Sequence, residues 1–281
     1  MKSGREEGAA LRFLYRTAPG RGILKVLTRP GLSRAAGRFL DAPASRLLIR
    51  PFVKKHRIGL SDYLPEQDAG FNDFFCRRIR PELRPLPDDP EVLIAPCDGL
   101  LTVYPLRGET VLPVKQSRYT LPELLHGDRA AARFADGTAL VFRLCVNHYH
   151  RFCYVDDGHK GANIYLPGVL HTVRPIALEQ TPVFVRNCRE YTLMETERFG
   201  LVCQIEVGAL LVGKIENLHG AGPIRRGAEK GRFLYGGSTV ILLLEKDAAE
   251  IDEAFFTAAA QGREAPVVMG QPLGRALKMK E

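Results

Sequence analysis

The chain has 281 residues, 45% of them hydrophobic, enough for one large domain or two small ones around a sizeable core. Its six cysteines form no Cys-x-x-Cys pair, which argues against a zinc site or disulfide scaffold and fits a reducing cytoplasm. No apolar run nears the roughly 18 residues of a membrane span, and the polar start carries no signal-peptide core.

The net charge of +8 is unevenly placed: residues 1–60 hold 14 Lys/Arg against 3 Asp/Glu, a net of +11, which leaves about −3 for the rest. From Leu11 to Leu60 apolar residues recur three and four apart, predicting helices around 23–27, 32–40 and 44–53, with Pro51 ending or kinking the last. Basic side chains fill the gaps. Such helices suit an anionic membrane surface, where each basic residue contributes ~1 kcal/mol. They equally suit simple packing on a core with a solvated basic face. Nucleic acid is a poorer partner, because the basic residues alternate with Leu, Ile and Phe and no nucleic-acid motif is present.

Phe71 to Ile79 reads as a short helix, followed by a Pro-rich crossing from Pro81 to Pro90. Strand signals then dominate: 92–94, 100–104, 110–112, 139–146, 161–166, 201–207, 209–212 and 239–244. Thr120 and Glu123 have the capping-box spacing of a helix start, and a further helix is expected over 248–260. The fold class is α+β: a β-rich, mostly antiparallel core with an N-terminal amphipathic helical segment. The expected division is a helical, membrane-associating segment at 1–80 and a β-rich catalytic domain at 81–281.

Near the C-terminus, Gly236-Gly237-Ser238-Thr239 runs straight into an apolar strand. Alone, these residues read as a turn before a strand. They also suit a peptide bond that cuts itself. A serine hydroxyl must reach the preceding carbonyl carbon, which needs a backbone twist that glycine permits. Ester formation and elimination at Ser238 leave a pyruvoyl group, an electron sink comparable to pyridoxal phosphate. Three other features could serve such chemistry: Ala95-Pro96-Cys97-Asp98-Gly99, the run from Asn147 to Tyr154 containing His148, His150 and Cys153, and Asn187-Cys188-Arg189. A serine needs a base, and a base is steadied by a carboxylate. Singly, Asp98-Gly99 is a turn, the histidine a structural one and Arg189 a surface ion pair; spacing alone does not select a triad.

Together these features resemble the bacterial, pyruvoyl-dependent phosphatidylserine decarboxylases. The resemblance runs from about Leu14 to the C-terminus. It rests on Phe71-Asn72-Asp73-Phe74-Phe75, Ala95-Pro96-Cys97-Asp98-Gly99, the run from Lys115 to Leu125, Tyr149-His150-Arg151, Asn187-x-Arg189 and Phe233-x-x-Gly236-Gly237-Ser238-Thr239-Val240-Ile241. It implies cleavage at Gly237–Ser238 into a large chain of residues 1–237 and a 44-residue chain 238–281. It further implies a covalent pyruvoyl cofactor derived from Ser238, no metal, and decarboxylation of phosphatidylserine to phosphatidylethanolamine. Asp98, His150 and Ser238 take the catalytic roles. Many members carry a second histidine where this chain has Cys153. The chain looks closest to a branch with cysteine there, so His150 is the expected base and His148 its reserve. Thr239 is a supporting residue, and Lys115 and Arg189 are the expected substrate-binding cations.

The implied partner is phosphatidylserine in an anionic membrane, at the cytoplasmic face of the cell membrane, with the protein peripheral; a homodimer is compatible. Two other readings stay beside this one: a pyruvoyl decarboxylase of a soluble amino acid, and an uncleaved, non-catalytic lipid-binding relative. The basic amphipathic N-terminus weighs against the first. The joint presence of Asp98, His150 and Ser238 weighs against the second.

Overall fold

The structure is a computed structural model; it describes residues 9–28, 30–65, 69–106, 111–114, 117–172, 175–178, 182–209, 214–234 and 238–277. Amphipathic helices open the chain: α1 (Ala9–Arg16), α2 (Ala18–Leu27), α3 (Pro30–Asp41), α4 (Ile49–His56) and the short α5 (Phe71–Phe75). Strands and short helices follow: β1 (Val92–Ile94), β2 (Gly99–Pro105), β3 (Val111–Val114), β4 (Ser117–Thr120), α6 (Leu121–Leu124), β5 (Thr138–Leu144), β6 (Arg151–Cys153), β7 (Gly158–Lys160), β8 (Ile164–Leu166), α7 (Pro175–Leu178) and α8 (Val183–Arg186). The last part holds β9 (Arg189–Thr196), β10 (Gly200–Val207), β11 (Ile215–Asn217), β12 (Gly222–Ile224), β13 (Glu229–Phe233), β14 (Ser238–Leu244), β15 (Ala249–Ile251), α9 (Glu253–Ala260), β16 (Ala265–Val267) and β17 (Pro272–Ala276).

The central sheet has the order β12-β7-β9-β10-β14-β5-β2-β16, with β8 also pairing β9, and all its pairs are antiparallel. Its middle strands read as nearly unbroken apolar runs because both of their faces are covered. Along β14, Ile241 and Leu243 enter one core cluster with Phe134, Phe184 and Ile205. Val240, Leu242 and Leu244 enter the other, with Phe142, Phe152 and Phe233. The second cluster is capped by the small sheet β11-β13-β6.

The N-terminal helices share their packing with the rest of the chain. Tyr15 and Leu24 join the first cluster beneath the central sheet. Leu40 and the phenylalanines of α5 form a third cluster that also takes in Val146 and Leu234. Three helix expectations change. The helix expected over 44–53 is split into a 3-10 segment, Pro43–Leu48, and α4; Pro51 sits in the first turn of α4, where a missing N–H breaks no bond. The helix expected from Phe71 to Ile79 stops at Phe75. The one expected over 248–260 begins at Glu253, capped by Asp252, because Ala249–Ile251 pairs with β17. The Thr120–Glu123 capping box is present as expected. The 161–166 strand shortens to β8, and of the 209–212 strand only Ala209 lies within the described residues.

Candidate active site

Ser238 is the first residue of β14, paired with Leu144 at the end of β5. The strand leading towards it, β13, is seated closely: a side chain at Gly231 would collide with the Glu216 carbonyl and the Phe152 ring. At the end of β13, the Phe233 N–H donates to the His150 carbonyl at 2.9 Å. One segment, 144–150, therefore holds both ends of the connection between β13 and Ser238. Gly236 and Gly237 lie outside the described residues, as does Lys115.

The Ser238 side chain is fully buried, and its hydroxyl has no hydrogen-bond partner among the described residues; the same holds for Thr239. A buried hydroxyl without a partner costs about 1–3 kcal/mol, so its persistence calls for a reason.

Asp98 precedes β2, two strands from β14 across β5, which places it about 10 Å from Ser238 by strand spacing. Its carboxylate is held by three donors. Arg84 grips it with a fork, Nε to Oδ1 at 2.8 Å and Nη2 to Oδ2 at 2.5 Å, and the Met269 N–H donates to Oδ1 at 2.9 Å. Among the described residues, those bonds take the place expected for His150.

His150 is buried, with Nδ1 2.9 Å from the His148 carbonyl and its ring 4.1 Å from that of Phe75, centre to centre. The Phe71–Phe75 motif thus packs against His150 through α5. His148 accepts from the Cys145 N–H at 3.2 Å. Burial lowers its pKa, the nearby Asp98 opposes this, and Arg143 adds to the lowering. Cys153 is buried in the second core cluster, and burial pushes its thiol up to about 12.

Arg189 has a different task from the expected one. It is buried, and its guanidinium donates to the carbonyls of Leu124, Glu123 and Val185 at 2.7–2.9 Å, with a longer bond to Asn187. It ties α6 and α8 to β9 and presents little to a ligand. Asn187 similarly braces His171 and Gly208.

Sequence reasoning missed a buried ion pair on Ser238's face of the sheet. Lys230 Nζ donates to Glu206 Oε1 at 2.8 Å and to Asn217 Oδ1 at 2.6 Å. Glu206 is opposite Val240, one pleat from Ser238. Its pKa is raised by burial, against the pull of Lys230. No grouping of three or more His, Cys, Asp or Glu among the described residues could hold a metal ion.

The arrangement sets a buried serine hydroxyl at a strand head, imidazoles in the segment bracketing it, and a fixed carboxylate at the same end of the sheet. Residues 71–275 match the family model described as phosphatidylserine decarboxylase. A relative from Clostridium acetobutylicum, named phosphatidylserine decarboxylase proenzyme 2, is 38% identical over 265 residues, covering 94% of this chain and 91% of its own length. One from Chlamydia muridarum, named phosphatidylserine decarboxylase proenzyme, is 39% identical over 272 residues, covering 95% and 90%. A Clostridium botulinum protein of that name is 37% identical, covering 94% and 92%.

Proposed function

The chain belongs to the phosphatidylserine decarboxylase family, and from that premise we propose that it converts phosphatidylserine to phosphatidylethanolamine and CO₂, using a pyruvoyl group made by its own cleavage at Gly237–Ser238. The observation that carries this reading is the buried Ser238 hydroxyl at the head of β14, after two glycines in the sequence and without a hydrogen-bond partner among the described residues. The residues present fit such a group, since position 238 is enclosed and its loop is held at both ends by 144–150.

In maturation, Ser238 Oγ attacks the Gly237 carbonyl carbon as a histidine, His150 in the first instance, takes its proton. The Gly237–Ser238 peptide becomes an ester. Elimination leaves Gly237 with a carboxylate terminus, and hydrolysis releases the former Ser238 nitrogen as ammonia. When present, the pyruvoyl group supplies an electrophilic carbonyl and an electron sink for the carbon that loses CO₂. His150 then returns a proton to that carbon.

The substrate is reached at a membrane. Phe13, Ile23, Val26, Phe39, Leu47, Leu48 and Leu60 are exposed, all within the basic N-terminal segment. Their joint exposure supports a peripheral, interfacial seat on an anionic leaflet, at the cytoplasmic face of the cell membrane. No helix among the described residues is long and apolar enough to cross a membrane.

The test is product formation from vesicles containing phosphatidylserine, with Ser238→Ala and free serine as controls. Phosphatidylethanolamine from wild type alone supports the reading. Turnover of free serine without turnover of the lipid replaces it with the soluble-substrate enzyme.

A further inference from the structure

Asp98 is the expected carboxylate of the site, yet the groups that determine where its oxygens point come from elsewhere. Arg84 lies in the Pro-rich crossing, just after the 3-10 turn Pro81–Leu83, whose prolines restrict the backbone. Its guanidinium is spread flat. Nη1 is anchored on the Leu83 carbonyl at 2.7 Å, while Nε and Nη2 face the two Asp98 oxygens. Both side chains are largely enclosed, at 14% and 9% exposure. A two-point fork fixes the plane of a carboxylate, whereas a single donor such as the Met269 N–H leaves it free to turn.

We propose that Arg84 is a positioning residue for self-cleavage: by clamping Asp98 it fixes the carboxylate that stands at the same end of the sheet as His148, His150 and Ser238. This inference rests on the self-processing reading above. The linker between the helical segment and the sheet thereby becomes part of the catalytic apparatus. The arginine acts through Asp98 and touches neither the scissile bond nor the lipid.

The experiment follows cleavage of freshly made precursor by denaturing gel for wild type, Arg84→Met, Arg84→Lys, Arg84→Ala, Asp98→Asn and the double variant Arg84→Met/Asp98→Asn. Thermal melts verify folding. Wild-type cleavage is the control that keeps the two readings apart: if wild type fails to cleave, self-processing itself falls. With wild type active, Arg84→Met is expected to slow cleavage about tenfold or more. Arg84→Lys keeps the charge without the fork and is expected to fall between them. The double variant is expected to match Asp98→Asn alone, because the clamp has nothing left to hold. Guanidinium ion at a non-denaturing concentration is expected to speed Arg84→Ala but not Asp98→Asn, which a purely structural role would not produce. Wild-type rates in Arg84→Met, or an Arg84 effect that adds in full to Asp98→Asn, overturns the proposal. Should Arg84→Met fail to fold, the same comparison on Arg84→Lys and the rescue of Arg84→Ala decide it.

Discussion

His150 and Cys153 of the Tyr149-His150-Arg151-x-Cys153 motif are both buried, and it is the effect of burial on the thiol that separates them. A base must bind a proton reversibly near neutral pH, and a thiol pushed up to about 12 has almost no thiolate there. Cys153 therefore serves the core, where it packs with Phe152 and Val155. His150→Ala is expected to accumulate full-length chain, and Cys153→Ala to process normally, both read on a denaturing gel. The opposite pattern would move the base to the cysteine. At this scale the sequence was legible for residues whose chemistry is intrinsic. Gly236-Gly237-Ser238-Thr239 alone reads as a turn before a strand, and it was the combination of motifs and the family resemblance that singled out Ser238 and His150. Arg84 was illegible, because nothing in a Pro-rich stretch marks one arginine over its neighbours. Arg189 misled for the converse reason. A cation in a motif suggests a ligand, but here the guanidinium satisfies the carbonyls at the ends of short helices.

At the scale of elements, the apolar runs of β5, β10 and β14 announced central strands, since burial on two faces demands it. Strands β9 and β13 stayed hidden because charged residues interrupt them. Those charges are paid for by tertiary partners that no local pattern reveals, Glu206 for Lys230 above all. Removing one member of a fully buried pair leaves the other charge stranded. Lys230→Met is thus expected to lower stability by about 3 kcal/mol, and adding Glu206→Gln to recover most of it. Urea titration in a Ser238→Ala background keeps the chain single and the comparison clean.

The docking of α1 has its own pH signature. The Tyr15 hydroxyl lies 3.2 Å from His171 Nδ1 and accepts from the Thr172 N–H. Burial, reinforced by Arg186, lowers the His171 pKa to about 4. In the unfolded chain it returns to about 6.5, so between these values the unfolded state binds more protons. Stability should therefore fall as pH drops from about 6.5 towards 4, and His171→Gln should flatten that part of the curve. A wild-type slope unchanged in His171→Gln would assign the pH effect to other groups.

For the whole molecule, charge and exposure point the same way. The +11 of residues 1–60 coincides with a segment that carries half of the exposed large apolar side chains among the described residues in about a fifth of the chain, whereas residues 61–281 carry a slight negative excess. Leu47 is 82% exposed, so Leu47→Glu is expected to leave stability within about 0.5 kcal/mol while weakening binding to anionic vesicles. Vesicle binding of wild type should weaken as salt rises, since the Debye length shrinks from about 10 Å at 0.1 M to about 3 Å at 1 M. Arg38→Glu should weaken it further without impeding cleavage, because maturation involves no lipid. Equal binding to neutral and anionic vesicles would leave the basic face a solvated one. The sheet-on-sheet arrangement and the seating of the helices on it were only partly legible, because strand order depends on register and on side chains far apart in the chain.

The central claim is that Ser238 cuts the chain before itself, and the intact mass of the purified protein tests it most directly. The account predicts two polypeptides from wild type, residues 1–237 and a 44-residue chain beginning at position 238 with a pyruvoyl group in place of an amino terminus, and one full-length polypeptide from Ser238→Ala. A single full-length mass from wild type that nevertheless decarboxylates phosphatidylserine, or a Ser238→Ala protein cut at the same bond, would contradict it.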